Sequence, residues 1–148
     1  MNIITTFEAA NTTAGIDTLA FGKLDEVQSF LDKYAIGDYP INLILPPAFT
    51  VTLGAGHLVK QVIQLQGWIL TRIDSEPNNY RSAAIESTYI QPMRELAILF
   101  IKALWNSSIV DDEVQTIQAT ITPEYTKLNY HLFGVRYQVN VPLIEAVC

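Results

Sequence analysis

The sequence predicts an α+β domain in which a mainly antiparallel sheet is packed by one long helix and one short helix. Two patterns and one size argument support this. Residues 90–105 repeat apolar side chains at the three-and-four spacing of an amphipathic helix. Residues 58–73 and 135–141 place them at alternate positions, the period of a strand with two distinct faces. A chain of 148 residues suits one domain, able to bury about two-thirds of the surface its unfolded form exposes.

In chain order, residues 1–22 read as a weakly structured lead-in to a domain over 23–148. Asn11, Thr12, Thr13, Gly15 and Gly22 punctuate this stretch before any period becomes established, and its Ile3, Ile4 and Phe7 are candidates to dock onto the body. Leu24, Val27, Phe30, Leu31 and Tyr34 then have helical spacing. Asp25 and Glu26 stand in the first turn, where the helix dipole favours negative charge, and Gly37 and Pro40 follow as stop signals. This is the predicted short helix. The run from Tyr39 to Leu45 is too short for a globular helix and is closed by Pro46-Pro47, so it reads as a buried strand.

Phe49, Val51 and Leu53 alternate with Thr50 and Thr52 ahead of Gly54-Ala55-Gly56-His57, which predicts a half-buried strand or extended arm ending in a turn. The long strand that follows has Val59, Ile63, Leu65, Ile69 and Ile73 on one face and Val62, Trp68 and Leu70 on the other, with a bend expected at Gly67. Residues 74–79 form a polar loop by composition. Helix resumes near Tyr80, and a kinked but continuous helix is expected through Pro92, which lacks an amide donor.

In the main helix Ile90, Met93, Leu96, Ala97, Phe100, Ile101 and Leu104 share the face to be buried. Ile98 and Trp105 widen that stripe, and Leu99 stands well round the other side. Asn106-Ser107-Ser108 stops the helix, and Asp111-Asp112-Glu113 makes an acidic turn. The last third alternates through Ile117, Ala119 and Ile121, then Leu128, Tyr130 and Leu132. The alternation is cleanest through Val135, Tyr137, Val139 and Val141, and together these predict one or two β-hairpins.

Composition narrows function. Only 16% of residues are charged, against about 25% in an average chain, so part of the surface is expected to be covered by a partner. The net charge is −6, and the nine Lys and Arg are scattered singly, which disfavours a phosphate-tracking nucleic-acid binder. Cys148 is the one cysteine, so no disulfide framework or cysteine-based metal site is expected. No signal-like segment and no apolar run of membrane-spanning length is evident, which points to the cytoplasm.

Catalytic patterns are weak. His57 and His131 lack a third ligand at any telling spacing, Gly54 and Gly56 lack the rest of a dinucleotide fingerprint, and Asp111-Asp112-Glu113 lacks the glycine of a calcium loop. No cofactor, metal site or catalytic residue is predicted.

The order of elements resembles the tail-terminator and tail-completion (neck) proteins of tailed bacteriophages. The resemblance is carried by Gly37-Asp38-Tyr39-Pro40, Pro46-Pro47, Arg72-Ile73-Asp74, Gln91-Pro92-Met93 and Gly134-Val135-Arg136-Tyr137-Gln138-Val139, and covers the chain from about Phe21 to Val141. It implies a ring subunit, commonly one of a hexamer, that caps the tail tube and joins it to the head connector. Its partners would be further copies of itself, tail-tube proteins and connector proteins, with non-specific proximity to DNA and no membrane. It would be found in the virion, and in the host cytoplasm during assembly. The resemblance carries no catalytic residues; it implies contacts through sheet edges and long loops.

Candidate interface residues follow from the exposed arm, the polar loop and the uncovered side of the helix: Phe49, Val51, Leu53 and His57; Glu76 and Asn78; Leu99 and Trp105. Two other classes compete with the ring. A small adaptor or chaperone would use the same low ionic surface to cover a partner's apolar face. A small enzyme would use His57 or His131 in a pocket between helix and sheet.

Overall fold

A computed structural model describes residues 3–22, 38–72, 85–111, 116–129 and 132–143. Its strands are β1 (Thr18–Phe21), β2 (Ile41–Ile44), β3 (Ala48–Gly54), β4 (His57–Arg72), β5 (Ala119–Asn129) and β6 (Leu132–Leu143). Its helices are α1 (Ile3–Ala14) and α2 (Gln91–Trp105). The six strands make one mixed sheet in the order β1-β2-β4-β6-β5, with β3 paired to β4 beside that path. Among the described residues only β1 with β2 is parallel; the other pairings are antiparallel. The α+β class stands, and among the described residues the sheet is mostly antiparallel.

The long central strand forms because residues 57–72 carry apolar side chains on both parities. Ile63, Leu65 and Ile69 join Val135, Tyr137, Val139 and Val141 of β6 in the main core, under α1 and α2. Trp68 and Leu70 face the other way and gather with Ala20, Tyr39, Ile41, Leu43 and Leu132 in a second buried cluster. Both faces of β2 are therefore buried, as the short apolar run between prolines predicts.

The ladder is continuous at Gly67, which pairs with Ile44 on one side and Tyr137 on the other. Its missing side chain serves close approach: a Cβ at Gly67 would stand 2.5 Å from the Tyr137 hydroxyl and 2.6 Å from the Leu43 carbonyl oxygen.

The expected buried stripe of α2 holds for Ile90, Met93, Ala97, Phe100, Ile101 and Leu104, while Leu96 is half-buried against it. The helix is continuous through Pro92. One turn of π-helix, Glu86–Ile90, precedes α2, and the Gln91 amide donates to the Glu86 carbonyl. A widened turn relieves the contact that a proline ring makes with the preceding turn, so the two irregularities coincide for one reason. At the other end Asn106 caps the helix, and the Ser107 hydroxyl donates to the Leu104 carbonyl at 2.6 Å.

The stretch expected to be a loose lead-in contains α1 and β1 instead. Phe7, Ala10, Asn11 and Ala14 are spaced as one helical face and are buried against the body. Asn11 is the reason the face is hard to recognise, because a polar residue occupies a core position. Its side-chain amide donates to the Ile16 carbonyl at 3.2 Å, and its oxygen accepts from Asn42 at 3.1 Å. The Tyr137 hydroxyl donates to Asn42 at 2.7 Å, completing a buried chain of polar groups between α1 and the sheet. Burial pushes the ionisation of Tyr137 far above that of an exposed phenol. Thus α1 supplies the second described helix. The short helix predicted around residues 24–34 and the polar loop at 74–79 lie outside the described residues.

The C-terminal third forms the expected hairpin, β5 against β6. Pro123 sits within β5 rather than ending it, which an edge strand tolerates because one of its sides makes no ladder bonds. Among the described residues no helix is long and apolar enough to cross a membrane.

Candidate interaction surface

β2 and β3 run end to end along the same side of β4. The ladder continues from Ile44 to the Leu45 amide, which donates to the Gln66 carbonyl at 3.0 Å. Pro46 and Pro47 have no amide hydrogen, so pairing stops and resumes at Ala48 opposite Gln64. At the far end Gly54 pairs with His57 across a two-residue turn whose residues, Ala55 and Gly56, have φ of 52° and 80°. Two positive φ values at the centre of such a turn are what a type I′ hairpin needs, and its twist matches that of the strands.

The prolines and the turn thus mark off a seven-residue strand with no charged side chain. Phe49, Val51 and Leu53 are 42%, 50% and 69% exposed. They are not placed on the polar side of the sheet. Phe49 stands directly opposite Ile63, which is 1% exposed and belongs to the main core, so one row of side chains passes from core to water across a single pairing. Thr50 faces the other way, where its hydroxyl oxygen accepts from the Gln64 amide at 3.4 Å. In place of a free arm the segment forms a hairpin with β4, and β3 is exposed on both faces rather than half-buried.

The remaining candidates are dispersed. His57 occupies the first position of β4, at the base of the turn. Glu76, Asn78 and His131 lie outside the described residues. Leu99 is 46% exposed and its neighbour Ile98, which the sequence reading placed at the edge of the buried stripe, is 50% exposed. Trp105 is half-buried and packs against the main core, so it contributes more to the domain interior than its assignment as a contact residue implied. The structure therefore brings Phe49, Val51 and Leu53 together on one strand and places Leu99 with Ile98 on a second element.

The opposite face of the sheet carries a different texture. Gln64, Gln66, Gln118, Thr120, Gln138 and Asn140 line a shallow trough across β4, β6 and the approach to β5. The register sets Gln64 beside Asn140 and Gln66 beside Gln138. Arg136 closes one end, donating to Gln66 at 3.0 Å with its guanidinium 5.7 Å from the centre of the Trp68 ring. Amides and hydroxyls can hydrogen-bond a surface but cannot exchange a proton near neutral pH, so the trough offers polarity without acid–base chemistry. The Tyr137 phenol is sealed in the core. Among the described residues no three His, Cys, Asp or Glu side chains gather as metal ligands.

A search with the sequence finds no matching protein-family model and no significantly similar curated protein.

Proposed function

We propose that the protein is a structural subunit of a tailed-phage virion, a tail-terminator-like ring component that caps the tail tube and joins it to the head connector. One observation carries this reading: a small domain exposes uncharged apolar side chains on several separate elements, most densely Phe49, Val51 and Leu53 on β3 and Ile98 and Leu99 on α2, with Phe21 on β1 and Ile4 on α1 besides. Such a subunit meets copies of itself as well as the tube and the connector, so it needs contact surface on more than one side. The order of elements that resembles the neck proteins supports the same reading. The virion is then its final location, reached by assembly in the host cytoplasm.

The test is the mass of the purified protein, alone and mixed with tail-tube and connector proteins, measured by mass photometry. A closed oligomer, formed alone or on those partners, is expected. A strict monomer under both conditions overturns the ring. A one-to-one complex with a single unassembled client would replace it with an adaptor or chaperone.

A further inference from the structure

The edges of the sheet differ in a way that points to a specific contact. Strand edges present unpaired amides and carbonyls, and proteins blunt them with charge, proline or brevity. β1 is short, with four residues. β5 is long but carries Pro123, Glu124 and Lys127. β3 has seven residues, pairs only with β4 among the described residues, has neither a charge nor a proline along its length, and keeps a regular ladder from Ala48 to Thr52 before a single shift in register at Leu53. It is the edge left open to another strand.

We infer that this edge takes the β3 strand of a second copy, antiparallel about a twofold axis through Val51. The strand Ala48–Gly54, AFTVTLG, is its own complement in that arrangement. Phe49 stands opposite Leu53 of the partner copy and Val51 opposite itself, so apolar side chains meet on one face. Thr50 meets Thr52 on the other. Cross-strand pairs of these kinds stabilise antiparallel ladders, and a slip by one residue would set every apolar side chain against a threonine. Two copies that each carry −6 repel one another overall, and β3, with no charged side chain, is a stretch where pairing adds no like-charge contact to that repulsion. The contact also closes on itself, so a strand with the texture of an aggregation site ends in a dimer rather than a fibre. This pairing goes beyond the ring reading and does not require it, because a twofold contact joins two copies whether or not other surfaces close a ring.

The test uses the full chain with Cys148→Ser as background. In an antiparallel pair, residues directly opposite have Cα atoms about 4.5 or 5.5 Å apart depending on the hydrogen-bonding phase, and both fall within disulfide reach. Val51→Cys is therefore expected to give a disulfide-linked dimer under mild oxidation, while Thr122→Cys on exposed β5 does not. Val51→Lys, which sets a lysine directly opposite its copy, is expected to weaken dimerisation at least about tenfold, and Thr52→Lys, which sets a lysine opposite Thr50 of the partner copy, to weaken it less, both at exposed positions and with the circular dichroism melt unchanged.

A protein that stays monomeric at its highest soluble concentration overturns the inference. So does a dimer that survives both lysine variants, or a disulfide formed between Val51→Cys and Thr122→Cys chains in preference to Val51→Cys with itself. A ring that assembles without Val51 cross-linking overturns the pairing and leaves the ring reading standing. A cross-linked dimer that never forms a ring does the reverse.

Discussion

Two regions of this molecule invert the usual placement of side chains, in opposite senses. Between α1 and the sheet, three polar side chains, Asn11, Asn42 and Tyr137, lie in the interior and satisfy one another. On β3, three apolar side chains, Phe49, Val51 and Leu53, lie in water. The interior inversion is closed: each group finds its partner in the same chain, and the cost of burying polar atoms is met by hydrogen bonds. The surface inversion is open, because nothing among the described residues of the chain removes those side chains from water. The contrast separates what holds the fold from what the fold presents. Changes in the first region should be read out in stability, and changes in the second in association.

The largest effect is expected where backbone approaches backbone. A Cβ at Gly134 would stand 1.9 Å from the Ile69 carbonyl oxygen, an obstacle no rotamer can remove. Gly134→Ala should lower the unfolding free energy by about 3 kcal/mol or more, the upper end of overpacking effects, measured by urea denaturation. Gly67→Ala should follow closely, since it pushes on the Tyr137 hydroxyl and so on the polar chain itself. An unchanged urea midpoint for either would mean that β4 and β6 are not held at the described approach.

The next effect tests the interior inversion directly. Asn42 joins the other two groups, so Asn42→Ala strands both Asn11 and Tyr137 in the core. A loss of about 3 kcal/mol is expected, because each buried group left without a partner costs ~1–3 kcal/mol. Tyr137→Phe removes only an end of the chain and should cost about 1 kcal/mol. A double mutant of Asn42 and Tyr137 should lose less than the sum of the two single losses, as residues in one network do.

The same network sets a pH dependence. The folded state holds the Tyr137 phenol protonated, whereas an unfolded chain releases that proton near pH ~10. The folded state thus binds more protons than the unfolded one at alkaline pH. The stability from Tyr137 is fully present below about pH 10 and is lost progressively above it. Urea midpoints measured from pH 7 upward should be flat and then fall, and Tyr137→Phe should make the alkaline fall shallower. An equal fall in both proteins would place the responsible group elsewhere.

The closed region was harder to foresee from the sequence than the open one, for a physical reason. Phe49, Val51 and Leu53 were legible because alternation, flanking prolines and a glycine turn are all local. The stripe of α2 and the alternation of β4 and β6 were legible for the same reason. The helical character of α1 was not, since IITTFEAANTTA holds four threonines and an asparagine, all poor helix formers, and has no acidic first turn. Two of those threonines, Thr12 and Thr13, return their hydroxyls to the carbonyls of Glu8 and Ala9, and so keep to the helix without facing the core. Asn11 belongs inside only because Asn42, 31 residues later, is there to receive it. No local pattern records that pairing. The parallel partnership of β1 with β2 is likewise non-local, and four residues give too short a period to announce a strand.

The smallest expected effect bears most on assembly. Leu99 and Ile98 project from the outer side of α2, and their removal from the surface leaves the described core untouched. Leu99→Asp should therefore change the urea midpoint by no more than about 0.5 kcal/mol of stability, the range of surface substitutions. If it instead cost well over 1 kcal/mol, the side chain would be covered by the protein's own chain, and α2 would drop out as a contact surface. If stability holds and assembly on the tail-tube and connector proteins is lost, α2 carries a contact of its own. Leu99→Asp should also leave Val51→Cys cross-linking intact, because the twofold pairing of β3 does not involve α2. Two variants with unchanged folds and separable losses would establish that the exposed apolar side chains serve two contacts rather than one continuous patch, which is what a subunit with neighbours on more than one side requires.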